Sequence, residues 1–336
     1  MLLLLSLILA TFYFLLWKSE INQLFSIIKT AIPFYLCVGL LMMLLFVGSE
    51  AFGIWILMQS FAYRLSFWKC LKYSFIGFYF SSITPGASGG QPIQVYYMKR
   101  DGAEIGPSSL AILIITVSYQ AAILLIGLVM FSLRSAWILQ NLGSMKYFIV
   151  YGVLVNLCLI VTLAFVTLNK DLPRRIISGF LSLLKWLKIL KQTDSVLHKA
   201  EIQLGKYQEG IDYIKEKPRT LLPVFCAILI QVLSRLSVAY AVYKAFGLQG
   251  YSYLDIVALQ AALALTVESL PSPGAVGAAE VGFLAVNRAL FGVDMLLPAM
   301  LLSRGISYYA FLLLSGGVTL GAQLFCVKRS AQDQQE

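Results

Sequence analysis

Charge is scarce in this chain. Only 12% of its 336 residues are Asp, Glu, Lys or Arg, about half the usual share of a soluble domain, so water is not the solvent for most of it. Histidine is nearly absent: His198 stands alone in a polar stretch, which excludes a histidine-based metal centre or catalytic triad. The cysteines at 37, 70, 158, 226 and 326 are scattered singly without C-x-x-C spacing, and read as small apolar residues rather than as a redox or zinc site. No G-x-x-x-x-G-K-[ST] loop is present, so direct ATP use is not expected. Neither a Ser/Lys dyad nor metal-ligand spacing occurs, and the expectation is a non-enzyme with no catalytic residues, metal or cofactor. The opening Met1-Leu-Leu-Leu-Leu lacks the basic segment and cleavage site of a signal peptide, so residues 1–17 are read as a retained first span.

What the chain has is apolar length. Hydrophobic residues make up 59% of it, with a mean hydropathy of +0.81. A hydrocarbon core roughly 30 Å thick needs about 20 apolar residues per helical span. Stretches at 31–63, 108–131, 147–168, 221–246 and 298–325 approach or exceed that length, and they lack the alternation of a membrane β-barrel. The first of these is so long that it must tilt, break near Gly48-Ser49-Glu50, or extend past the bilayer. Two further stretches, 73–98 and 255–290, are interrupted by prolines and glycines that do not continue a helix. The expected fold is an all-α integral membrane protein, one polytopic domain over residues 1–336, with 6–8 transmembrane helices and two interrupted or re-entrant hairpins.

The net charge of +10 is concentrated rather than spread. Residues 170–219 hold eleven of the 26 Lys and Arg against six Asp and Glu. By the positive-inside rule this loop is cytoplasmic, as is the C-terminus after Lys328-Arg329, in a multi-pass protein of the cytoplasmic membrane. Basic residues beside anionic lipid explain the charge, and no nucleic-acid partner is expected. Ile176, Ile177, Phe180, Leu183, Leu184, Leu187 and Leu190 recur at helical spacing, so the segment 170–218 begins as an amphipathic helix on the inner leaflet.

The interruptions share a pattern. Pro85-Gly-Ala-Ser-Gly89 and Pro273-Gly-Ala-Val-Gly277 both read P-G-A-x-G, 188 residues apart, and the same shift carries Arg100 onto Arg288. With the basic loop and C-terminus inside, the two interrupted hairpins enter from opposite sides. The halves, about 31–168 and 219–326, then form an inverted repeat, an architecture in which broken helices line a substrate site. Freed N–H groups at the start of a half-helix attract anions, which makes Pro85, Gly86, Gly89, Gly90, Gln91, Pro273, Gly274 and Gly277 candidate binding residues. Close helix packing through small residues is the competing reading.

Ionisable groups at bilayer depth cost roughly 2.5–3.5 kcal/mol each on insertion scales, so Glu50, Arg235, Glu268, Glu280 and Arg304 each need a partner or a watery cavity. Arg235 lies near the middle of its span, with Gln231 one turn earlier. Its fork suits a lipid phosphate; an ion pair with Glu50 or Glu268 is the plain alternative. Glu268, just before Pro271, either serves a site or caps backbone freed by the break.

The stretch S-I-T-P-G-A-S-G-G-Q-P-I-Q-V-Y-Y-M-K-R-D-G (82–102) resembles the signature of flippase-like membrane proteins similar to the transmembrane region of lysylphosphatidylglycerol synthase. The later E-S-L-P-S-P-G-A-V-G-A-A-E (268–280) is similar to that family's second motif. In bifunctional relatives an aminoacyl-transferase domain follows the membrane region, whereas this chain stops at Glu336, so the resemblance implies lipid translocation rather than synthesis. Gln91 stands where many relatives carry an acid, which removes a proton-linked role there from what the resemblance implies. The expected function is a lipid flippase-like transporter for an anionic or aminoacylated lipid, its partners being membrane lipids. The alternative is an accessory or scaffold associated with a lipid-modifying or envelope enzyme.

Overall fold

A computed structural model describes residues 6, 9–11, 13, 21–142, 146–168, 193–268, 270 and 272–332. Among them every regular element is helical. The proposed first span at 1–17 and the amphipathic stretch at 170–192 fall largely or wholly outside the described residues. Among the described residues, four helical segments are long and apolar enough to cross a membrane: Pro33–Ser60, Ile105–Gln140, Pro218–Ala245 and Arg288–Leu324.

A short helix, α1 (Ile21–Lys29), precedes α2 (Pro33–Ser60). Pro33 suits the first helical turn, where its missing N–H leaves no gap. The break that the sequence allows at Gly48–Glu50 does not occur. All 28 residues of α2 are continuous, about 42 Å at 1.5 Å per residue, so excess length is taken up by extension or tilt. Gly53 serves packing instead: a Cβ there would lie 2.7 Å from Ile115 and 3.6 Å from Ile228.

The first interrupted region is a hairpin of α3 (Phe67–Ile83) and α4 (Gly90–Arg100). Helix α3 starts six residues before the apolar run at Tyr73, because Ser66 caps it by accepting from the Lys69 N–H at 3.4 Å; Lys69 and Lys72 interrupt the hydropathy but not the helix. A single 3-10 turn, Pro85–Ala87, joins the arms. The arms approach closely, since a Cβ on Gly90 would lie 2.7 Å from the Gly77 carbonyl and one on Gly77 2.2 Å from Gln94.

Asp101 ties the open end of this hairpin, accepting from Lys72 at 2.6 Å and from Tyr73 at 2.5 Å. Burial would raise its carboxyl, but the bonds from Lys72 and Tyr73 outweigh burial and hold it below the usual carboxylate value. A depressed folded-state value gives stability that is full above the unfolded pKa, about 3.9, and lost as pH falls through the folded one. Asp101→Asn should therefore lower Tm at neutral pH, with the gap to wild type closing below about pH 4. A gap unchanged across that range would refute this linkage.

Helix α5 (Ile105–Leu142) is 38 residues long and much exceeds the 108–131 expected. It leaves helical geometry at Arg134, whose Nε lies 3.1 Å from the Asp255 carboxylate. Helix α6 (Lys146–Leu168) presents Leu154, Leu157 and Val161 outward, while Gly152 lets its backbone approach Leu265, whose carbonyl would be 2.3 Å from an added Cβ. Helix α7 (Thr193–Glu216) occupies the second half of the basic segment, beyond the amphipathic helix expected at its start. It docks on the start of α5, where Gln203 accepts from the Gly106 N–H at 3.0 Å and Lys206 pairs with Glu104.

Helix α8 (Leu221–Ala245) has its most extensive packing against α2. The two run antiparallel: the Ile32 N–H donates to the Ala245 carbonyl at 2.8 Å, Gly39 faces Ala241, and Gly53 faces Val224 and Ile228. Helix α9 (Tyr253–Val267) opens on a capping box formed by Ser252 and Asp255. A second 3-10 turn, Pro273–Ala275, leads into α10 (Ala278–Val286), then α11 (Arg288–Arg304). The last span thus begins ten residues before the expected Pro298, which lies inside α11. A wide π-helical turn, Gly305–Ala310, connects α11 to α12 (Phe311–Gln332).

The 188-residue spacing extends beyond the motifs. Adding 188 to Pro33, Pro85 and Gly90 gives Leu221, Pro273 and Ala278, the first residues of α8, the second 3-10 turn and α10. Backbone conformation matches too: φ is +59° at Gly86 and +57° at Gly274, and +54° at Ala87 and +53° at Ala275. Left-handed alanines are costly, so both turns hold the same strained geometry.

Candidate functional site

The two Pro-Gly-Ala turns pack against each other, and beside them lies a cavity of about 460 Å³. Polar groups reach it from nearly every packed element: Glu50 from α2, Gln91 and Gln94 from α4, Tyr119 and Gln120 from α5, Gln231 and Arg235 from α8, and Glu268 from the end of α9. Gly86 and Gly274 bring the two turns to its wall, and Arg304 and Tyr308 close another side. Glu50, Gln231, Arg235 and Glu268 of the sequence-based candidates thus meet in one place.

Their pairing is specific. The Arg235 guanidinium binds Glu268 Oε1, which also accepts from the Tyr119 hydroxyl at 3.4 Å. Glu50 pairs instead with amides: Oε1 accepts from Gln94 Nε2 at 2.7 Å and Oε2 from Gln231 Nε2 at 3.1 Å. An ionised carboxylate only accepts, so both glutamines must turn N–H groups toward it. That leaves Gln231 Oε1 buried without a hydrogen-bond partner, as is Gln120 Oε1. The cavity therefore offers acceptor sites to an incoming donor, while its arginines are occupied by carboxylates.

Glu280 has a different setting. It is 1% exposed and lies off the cavity wall, accepting from Arg304 Nε at 2.8 Å, the Gly277 N–H at 2.7 Å and the Tyr309 hydroxyl at 3.2 Å. Arg304 also donates to the Gly274 carbonyl at 3.2 Å and lies 4.5 Å over the Tyr308 ring. Tyr308 in turn donates to the Ser82 carbonyl at 3.0 Å. This chain of contacts fixes the second turn and links it to the end of α3.

Of the loop candidates, Gly86, Gln91 and Gly274 line the cavity, while Pro85, Gly89, Gly90, Pro273 and Gly277 stand behind it. The Gly89 N–H donates to Thr84 Oγ1 at 2.9 Å and the Gly277 N–H to Glu280, so neither is free for an anion in this conformation. Gly90 serves the close packing of α3 on α4. Arg100 and Arg288 are exposed at helix ends. Sequence reasoning missed Gln94, whose one signal is a polar residue a turn past Gly90, and Tyr308, which carries none.

The arrangement defines a multi-pass helical membrane protein with a polar, two-signed cavity lined by its helices. The sequence model of the lysylphosphatidylglycerol synthase TM region matches residues 1–315, and the chain belongs to that family. Over 95 residues it is 30% identical to a UPF0104 membrane protein of Archaeoglobus fulgidus. That match spans 28% of this chain and 29% of the relative.

Proposed function

We propose that this protein is a flippase-like transporter that moves an anionic or aminoacylated phospholipid between leaflets of the cytoplasmic membrane. The observation that carries this reading is the cavity itself, where Arg235, Glu268 and Glu50 sit among apolar helices at the junction of two broken ones. Arg235 would hold the lipid phosphate, and Glu50, with no cationic partner among the described residues, would meet a cationic headgroup or a proton. The polar wall would pass the headgroup while the acyl chains stay in hydrocarbon.

In this reading the two interrupted regions are re-entrant hairpins related by an inverted repeat. Three features support it: the antiparallel pairing of α2 with α8, the common 188-residue spacing of element starts, and the matching left-handed Gly-Ala pairs. The basic segment at 170–218 and the C-terminus then lie on the cytoplasmic side. The proposal assigns no catalytic step, cofactor or metal.

Liposomes containing the protein and headgroup-labelled anionic, zwitterionic or aminoacylated lipids test it. Leaflet exchange of one headgroup class should exceed that in protein-free liposomes. Rates no higher than in protein-free liposomes for every lipid, with folded protein, would remove the transport reading. The accessory reading, association with a lipid-modifying or envelope enzyme, would then take its place.

A further inference from the structure

Both cavity-facing arginines are paired with a carboxylate, but the two carboxylates are held differently. Glu280 is enclosed, its side chain 2% exposed, and it receives three donors from three residues. Glu268 is 19% exposed, lines the cavity, and is held by Arg235 and one long bond from Tyr119. Arg235, its side chain 31% exposed, lines the same cavity, so both members of this pair face it. A pair that faces a cavity and is held by few bonds is more readily exchanged than an enclosed one held by three donors.

We infer that Glu268 is a built-in competitor for the Arg235 anion site, displaced by the phosphate of an incoming anionic headgroup and restored when that headgroup leaves. Electrostatics requires some such device. A bare Arg235 at bilayer depth would be expensive, and would bind an anion too firmly to release it. Glu268 solves both problems, because it neutralises the empty site and lowers net affinity for the loaded one. It also sets specificity: a phosphate-bearing headgroup gains only the difference between its own contact and that of Glu268, while a headgroup with no anionic group gains nothing by displacing it. The inference rests on the reading of the cavity as a lipid-headgroup site, but it concerns binding and does not require transport.

Titration calorimetry on the full chain in detergent, with dihexanoyl phosphatidylglycerol and the phosphate-free dihexanoylglycerol as probes, tests it. Glu268→Gln should bind phosphatidylglycerol about tenfold more tightly than wild type, a change of 1.4 kcal/mol, with dihexanoylglycerol binding unchanged. Glu268→Asp, which keeps the charge on a shorter arm, should fall between them and covers the case in which the glutamine variant does not fold. A purely structural ion pair would lower Tm without moving the ratio of the two affinities. An unchanged or weaker affinity for the anionic lipid in the folded variants, an equal gain for both lipids, or no binding to any form would overturn the competitor role. A tenfold gain in Glu268→Gln, alongside wild-type liposomes that exchange no lipid, would uphold the competitor and remove only the transport reading.

Discussion

Glu280→Ala is expected to destabilise the fold by about 3–5 kcal/mol, the range for breaking one side of a buried ion pair. Three donors lose their acceptor at once: Arg304 Nε, the Gly277 N–H and the Tyr309 hydroxyl. Arg304 is then left as an uncompensated cation, its side chain 15% exposed. Gly277 sits at φ +86°, a backbone conformation that its bond to Glu280 helps to hold. Reversible unfolding in mixed detergent micelles measures the effect. Replacing both members by apolar residues, as Glu280→Met with Arg304→Met, should recover part of the loss, because no orphaned charge remains. A single-variant loss below about 1 kcal/mol would mean that water solvates the vacated site, against the enclosure seen here.

Arg235→Ala should reduce protein-mediated exchange of anionic lipid by at least tenfold. A hydrogen bond to a charged group is worth about 1.5–3 kcal/mol, or roughly 10- to 150-fold in rate if it is made in the rate-limiting state. The variant also leaves Glu268 without its cation, so loss of activity alone would not separate a ligand role from a structural one. The neutral double variant Arg235→Gln, Glu268→Gln does. Under a structural role, removing both charges restores folding and exchange together. Under a ligand role, Tm recovers and exchange does not, because the phosphate still lacks its guanidinium. Arg235→Lys should retain part of the exchange, since a lysine keeps the charge but not the two-pronged geometry. Exchange equal to wild type in the double variant would remove Arg235 from the site.

The helices themselves were legible to different degrees. The expected spans 147–168 and 221–246 lie within a residue or so of α6 and α8, because each is one continuous apolar run. The starts of α3 and α11 were not legible. Hydropathy reports the surrounding solvent, whereas a helix ends where its backbone bonding ends, and Lys69 and Lys72 continue α3 through water-facing or paired positions. A break at Gly48 to Glu50 was one of three ways open to so long a run, because glycine, serine and glutamate are poor span residues. The helix continues because Glu50 finds Gln94 and Gln231, 44 and 181 residues away.

The charged candidates were visible for the same local reason, an ionisable group in an apolar run. Which of them would meet was not visible. Two acids were open to Arg235, and nothing within either span distinguishes Glu50 from Glu268. The distinction comes from the packing of α8 between α2 and α9, and from the turn that brings Gln94 back over α3.

By itself the sequence determined that this protein is helical and membrane-embedded, where the two Pro-Gly-Ala breaks fall, and which few charges must find partners. These follow from composition and short-range backbone chemistry, which act within a turn or two of chain. Only the tertiary structure decided that Arg235 takes Glu268, that Glu50 is left to two amides, and that Glu280 holds a turn rather than lining the cavity. Those outcomes depend on groups far apart in the chain competing for the same few partners, and that competition is resolved only when the helices pack.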